Sequence, residues 1–214
     1  AVHGADIVMG LTAGGDAEQA LMQAVDVIET GTLYADLATT SPSLERKLAA
    51  IAQARGFPYA DVALMAPVPG SGLRTPSLAS GAGAARYREV VGRLGGVVTV
   101  VEGGAGRASA RKLMRSVVMK GLTAVVLESL EAGAAHGDGD WLWDHIVDTV
   151  TAADAGLLRR LLDGTTPHAE RRLDEMRAAE AFLVELGVSP DMTHGTVGQL
   201  ERIATQGMLD IAWR

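Results

Sequence analysis

One stretch constrains this chain more than any other: Gly103–Glu131, GGAGRASARKLMRSVVMKGLTAVVLESLE, which joins a first half of alternating strands and helices to a second half that reads as helix throughout. Between Val117 and Leu127 nearly every residue is apolar or small. A helix without a polar face is expected to be buried on all sides. Lys112, Ser116 and Lys120 nevertheless stand at i, i+4 and i+8. Each step of four turns a helix by only about 40° from one to the next, so the three share a single stripe. A polar stripe on a buried helix suggests a cavity. The competing reading is that the lysine stems lie along apolar surface with their ammonium groups in water. Gly103, Gly104 and Gly106 precede the helix and would let a ligand or another backbone approach closely, and N–H groups of a first helical turn favour an anion.

The formal net charge of −7 argues against a nucleic-acid or anionic-membrane surface, both of which need clustered Lys and Arg. The 214 residues include no cysteine, which rules out disulfides, thiolate nucleophiles and cysteine metal sites and fits a reducing compartment, with cytoplasm the expected location. No run approaches the ~18 apolar residues of a membrane span, and the first residues lack a signal-peptide layout. His136, His145, His168 and His194 have no metal-ligand spacing. Trp141, Trp143 and Trp213 read as core or interface anchors.

In chain order, strands are expected over Ala5–Leu11, Thr32–Ala38, Ala60–Ala66, Ser77–Gly81 and Gly96–Val101. Helices are expected from Asp16 as cap to Ile28, from Ser41 as cap with Pro42 at the first helical position to Arg55, and over Ala84–Leu94. Such alternation predicts a largely parallel sheet wound with helices, whose ligands sit beyond the carboxyl ends of the strands at loops 12–15, 39–42 and 67–76. The last of these, rich in Pro and Gly, is long enough to expect a function. Gly81-Ala82-Gly83 and Gly103-Gly104-Ala105-Gly106 each follow a strand without completing the G-x-G-x-x-G turn of dinucleotide-binding folds. Beyond Glu131 a turn at 136–140, with Asp140 as a possible cap, leads to helices over Trp141–Thr151, Ala153–Leu162, Pro167–Leu186 and Thr196–Ile211, with Gly187–Gly195 as a turn. The expected organisation is a partial Rossmann-like α/β domain, residues 1–102, followed by the linking helix and an all-α domain, residues 103–214.

Four segments resemble the β-hydroxyacid dehydrogenases, the group of 3-hydroxyisobutyrate and 6-phosphogluconate dehydrogenases, and especially their uncharacterised phosphogluconate-dehydrogenase-like branch. Ala5–Gly14 is similar to the family's strand and loop of type "DVVI-x-x-L-P/T", and the resemblance implies that Leu11, Thr12 and Ala13 bind the cofactor. Asp36-Leu37-Ala38-Thr39-Thr40-Ser41-Pro42 is similar to "D-x-S-T-x-x-P" and implies a cofactor role for Thr39. Ala66–Ser71 is similar to the substrate loop "A-P-V-S-G-G", with Pro69 where serine is usual, and implies that Pro69, Gly70 and Ser71 meet substrate. Gly106–Ser116 is similar to the catalytic helix "G-x-G-x-x-x-K-x-x-x-N", with Ala108 for its second glycine and Ser116 for its asparagine. It makes Lys112 the catalytic residue, with Ser116 and Lys120 as substrate contacts. Family members carry further residues in front that supply the dinucleotide fingerprint, so the chain is expected to be part of a longer polypeptide.

The implied activity is hydride transfer between NAD or NADP and a small hydroxy acid or related carbonyl. Negative charge develops on the carbonyl oxygen as hydride arrives, so a proton donor is needed there, and Lys112 is the candidate general acid/base. Two other readings stand beside it: an imine or carbonyl reductase on the same scaffold, and a non-catalytic dimeric binding or scaffold protein. The apolar helix predicts an obligate dimer, and the resemblance implies an interlocked one in which His168, Arg171 and Arg172 would reach the pocket containing the other chain's Lys112.

Overall fold

The computed structural model describes residues 2–208 and divides into two compact units, residues 1–117 and 118–214. The division falls inside the linking helix, so the first turns of that helix belong with the sheet. In the first unit five strands form one sheet in sequential order: β1 (Ile7–Gly10), β2 (Leu33–Asp36), β3 (Tyr59–Leu64), β4 (Ser77–Ser80) and β5 (Val98–Val100). β1, β2 and β3 run parallel, and β4 pairs antiparallel with β3, Asp61 opposite Ser80 and Leu64 opposite Ser77. The sheet is therefore parallel-dominated with one reversal, at the long loop after β3. A helix crossover would have returned the chain parallel; a loop pinned at its base by Met65 N–H to Pro76 O, 2.8 Å, sends it straight back.

α1 (Ala17–Ala24), α2 (Pro42–Ala54) and α3 (Ala84–Arg93) cover the sheet. One core gathers Ala17, Leu21, Leu48, Ala52 and Phe57 around Tyr34 and Tyr59; the other gathers Leu33, Ala35, Ala60, Val62 and Ala79 under Tyr87 and Val91. β2 and β3 are buried on both faces, as a central position between helix layers requires. Ser41 caps α2 as expected, accepting Leu44 N–H at 3.2 Å with Pro42 next. Asp16 makes no capping bond with its side chain; it closes a 3-10 turn, Gly14–Asp16, ahead of α1, which stops at Ala24 rather than Ile28.

The linking helix α4 runs Arg107–His136. In the second unit follow α5 (Gly139–Thr151), α6 (Ala155–Asp163), α7 (Ala169–Glu185) and α8 (Asp191–Gln206). Asp154 caps α6 by accepting Leu157 N–H at 2.7 Å, while Asp140 lies within the first turn of α5 without capping it. α8 starts five residues earlier than its sequence suggests and takes in Gly195. The Glu128 carboxylate is the reason: it accepts Met192 N–H at 2.6 Å, Thr193 N–H at 2.9 Å and the Thr193 hydroxyl at 2.6 Å, supplying the cap that the local sequence lacks. α7 and α8 pack through Leu173, Val197, Leu200 and Met176.

The expectation that α4 is buried all round does not hold within one chain. Val117 is 75% and Val118 66% exposed, with Met114, Leu122, Val125 and Leu127 also open, because the second unit's buried core is small. Trp141 and Trp143 are exposed as well, which removes the core reading for both; Trp213 lies outside the described residues. No helix among the described residues is long and apolar enough to cross a membrane.

Candidate active site

The carboxyl ends of β1, β2 and β3 lie along one edge of the sheet, which brings three of the sequence-predicted loops side by side. The first two are in contact. A Cβ on Gly14 would fall 2.2 Å from the carbonyl oxygen of Thr39, so only glycine fits there. Leu11, Ala13 and Thr39 are exposed along this edge. Thr12 is half-buried, and its Oγ1 is buried without a hydrogen-bond partner among the described residues. A hydroxyl in that state has a donor and acceptor capacity left for a ligand.

The third loop is more self-contained than its composition suggests. Ser71 N–H and Gly72 N–H both donate to Val68 O, at 3.0 and 2.9 Å, and Thr75 Oγ1 donates to Gly72 O at 2.8 Å. Gly70, with φ of +84°, permits the turn. The backbone N–H of Ser71 is thus spent inside the loop, its side chain is partly buried, and Pro69 and Gly70 are exposed. Lys112 and Ser116 are half-buried on α4 within the first unit, while Lys120, in the second, is exposed.

The first turn of α4 is not an open anion site. Asp61 Oδ2 accepts Gly106 N–H at 2.8 Å, Ala108 N–H at 3.1 Å and Ser109 N–H at 3.2 Å, and Oδ1 accepts the Ser109 hydroxyl at 2.6 Å. Ser80 Oγ donates to Asp61 at 2.8 Å and also receives Ala108 N–H at 3.0 Å. A fully buried carboxylate from the middle of β3 therefore takes the place expected for a ligand anion. Gly106 is needed for a different reason: a Cβ there would stand 2.6 Å from Pro42 O, so the glycine lets α4 enter against the start of α2.

Beside Asp61 lies a second buried polar cluster that the sequence reading missed. Glu45, on α2, is fully buried; its Oε1 accepts Thr40 Oγ1 at 2.5 Å and its Oε2 is 2.8 Å from the Tyr59 hydroxyl. The same hydroxyl lies 3.2 Å from Asp36 Oδ2, while Asp36 Oδ1 accepts Ala38 N–H at 2.8 Å. Tyr34 stacks on Tyr59 with centroids 5.8 Å apart. Burial, aided by the Asp61 and Asp36 charges and opposed by bonds from Thr40 and Tyr59, pushes Glu45 up to about 7. Burial likewise raises Asp36, and it pushes the Tyr34 phenol up to about 12. The available signal was an acidic residue at a helical position whose i−3, i+3 and i+4 neighbours, Pro42, Leu48 and Ala49, are apolar.

Residues 134–203 match the model of a domain of unknown function, DUF1932. The sequence matches none of the curated proteins. Among solved structures, a reductive aminase from Aspergillus terreus in complex with NADPH and ethyl-5-oxohexanoate is 26% identical over 94% of this chain and 75% of its own, with a TM-score of 0.73. An imine reductase from Myxococcus stipitatus in complex with NADP+ is 22% identical over 94% of this chain and 77% of its own, with a TM-score of 0.77. The conserved protein MTH1747, described as structurally similar to 3-hydroxyacid dehydrogenases, is 25% identical over 95% and 78%, with a TM-score of 0.58. The fold is that of the 3-hydroxyacid dehydrogenase-like proteins and imine reductases, a parallel-dominated sheet with helices followed by a helical region. The residues that match the DUF1932 model lie in the helical half of this chain.

Proposed function

We propose that the chain is the catalytic part of an NAD(P)-dependent oxidoreductase that moves hydride between the nicotinamide and a small hydroxy acid or related carbonyl compound. The observation that carries this reading is the loop edge at β1 and β2, where the partnerless Thr12 hydroxyl stands beside the close contact of Gly14 with Thr39. These residues fit a dinucleotide's polar groups, with Leu11, Thr12, Ala13 and Thr39 as the contacts. The neighbours of like fold that hold NADPH or NADP+ support the same assignment. The cofactor supplies the hydride.

Lys112 is assigned the proton at the substrate oxygen. As an ammonium it delivers a proton when the carbonyl is reduced; as an amine it removes one when the alcohol is oxidised. The Ser71 and Ser116 hydroxyls and the Lys120 ammonium are assigned to orienting the substrate, with Pro69 and Gly70 shaping the loop. A homodimer closed over the exposed circumference of α4 completes the reading, since Val117, Val118 and Met114 otherwise meet solvent.

A second reading, imine reduction with Lys112 in the same role, is favoured by the likeness to the reductive aminase. Amine formation from a cyclic imine separates the two. The test of the shared part is fluorescence titration of the full-length protein with NADH and NADPH. Saturable binding is expected, weakened about two- to tenfold by Thr12→Val, the usual worth of one hydrogen bond. Binding of neither nucleotide would leave the scaffold reading in its place.

A further inference from the structure

Asp36, Tyr59 and Glu45 present a proton-counting problem. All three are buried, and one phenolic oxygen lies within hydrogen-bond distance of both carboxyl groups, 3.2 Å from Asp36 Oδ2 and 2.8 Å from Glu45 Oε2. A phenol carries one proton and donates to one acceptor. The second contact is a hydrogen bond only if that carboxyl brings a proton of its own. We propose that Glu45 is a neutral acid whose proton, relayed through Tyr59 to Asp36, clamps the β2–α2 turn at the cofactor edge, and that losing this proton as pH rises releases the turn.

In the clamped state Glu45 Oε2–H donates to Tyr59, Tyr59 donates to Asp36 Oδ2, and Asp36 Oδ1 accepts Ala38 N–H. The remaining Glu45 oxygen accepts Thr40 Oγ1 at 2.5 Å. Two ends of one short turn, Ala38 and Thr40, are thus tied to one chain of hydrogen bonds, with Thr39 between them. When Glu45 gives its proton to water, Tyr59 has two anions to serve and one proton with which to serve them. The groups facing Glu45 then are Asp36 and Tyr59, the Tyr34 phenol stacked on Tyr59, the Asp61 carboxylate on the same strand as Tyr59, and Thr40, so a new charge meets anions. Tyr59 also lines an open groove of about 490 Å3 with Arg46 and Gln53.

The direction follows from burial, which raises Glu45 from its ordinary 4.5 to about 7. The folded unit keeps a proton that the unfolded chain has lost, so stability falls as pH rises from about 4.5 to about 7, and the loss persists above that. That one carboxyl of the pair brings a proton rests on geometry, that it is Glu45 rests on its complete burial, and that the clamp holds a cofactor edge rests on the function proposed above.

Amide hydrogen exchange of Leu37–Thr40, corrected for intrinsic rates, tests the clamp at about pH 5.5 and about pH 8.5, either side of the transition. Protection in the native sequence is expected to drop more than about tenfold at the higher pH. Glu45→Gln, which is neutral at both, should hold it constant. Equal protection in the native protein at both pH values, or an unchanged pH dependence in Glu45→Gln, would overturn the proposal. If the variant does not fold, carbon-13 NMR of the native glutamate carboxyls decides: one titrating near neutrality supports the proposal, and all titrating at ordinary values overturns it. NADPH affinity should weaken about tenfold over the same pH step in the native protein and not in Glu45→Gln. Failure of NADPH to bind at either pH would count against the oxidoreductase reading, while the exchange data still decide the clamp.

Discussion

Asp61 Oδ1 accepts the Ser109 hydroxyl at 2.6 Å, tying the middle of β3 to the first turn of α4 across 48 positions of sequence. With the three backbone N–H groups on its other oxygen, this carboxylate sets where α4 begins, and therefore the starting point of the stripe that carries Lys112 and Ser116. Asp61→Ala would leave those buried donors unpaired and should destabilise the first unit by roughly 3–5 kcal/mol. Asp61→Asn should recover only part of this, because its amide turns a donor toward donors. The three tyrosines lie in the first unit and the three tryptophans in the second, so tyrosine and tryptophan signals in urea report the units separately. An unchanged tyrosine transition in Asp61→Ala would refute the assignment.

Glu128 performs the same service for α8. Its desolvation pushes the pKa up, but the Thr193 hydroxyl and the Met192 and Thr193 N–H groups outweigh that and hold the carboxyl below its usual range. A lowered folded value contributes stability above the unfolded pKa, and that stability is lost as pH falls through the folded value. Glu128→Ala should cost about 1 kcal/mol, the usual worth of a cap, at neutral pH. The deficit should shrink in acid. Tryptophan-detected unfolding at several pH values measures it, and a deficit that grows toward low pH would contradict the cap.

Lys112→Ala is expected to lower turnover by about two to four orders of magnitude while nucleotide affinity barely changes. Lys112→Arg should rescue little, since a guanidinium stays protonated and is bulkier. Steady-state kinetics on whichever substrate class is turned over provide the check, and retained turnover in Lys112→Ala would remove the acid/base assignment.

Lys120→Met separates two roles for an exposed lysine. A raised KM with unchanged kcat is expected of a substrate contact. Kinetics identical to the native protein would instead show that its stem merely lies along the helix, with its ammonium in water.

The proposed dimer should have an apolar interface above about 2,000 Å2 and no stable folded monomer at accessible concentrations. Val118→Arg, which puts a charge on the exposed circumference of α4, should dissociate or unfold it. Sedimentation down to nanomolar protein decides, and a folded species of monomer mass in the native protein would refute the interlocked arrangement.

The sequence by itself determined the elements. The apolar runs at Ile7–Gly10, Leu33–Asp36 and Tyr59–Leu64, and the Ser41-Pro42 start of α2, are local signals whose physics needs no partner, and the helical second half follows from periodicity alone. The stripe of Lys112, Ser116 and Lys120 was legible for the same reason, since helical spacing is fixed by backbone geometry. Tertiary structure alone decided what those elements meet. That β4 reverses the sheet depends on how the loop from Met65 to Pro76 closes. That α4 starts on Asp61 and α8 on Glu128 depends on carboxylates brought from 45 and 64 positions away, which no local pattern encodes. The buried cluster of Glu45, Tyr59 and Asp36 is of the same kind: each residue looks ordinary in its own segment, and only packing places one hydroxyl between two acids.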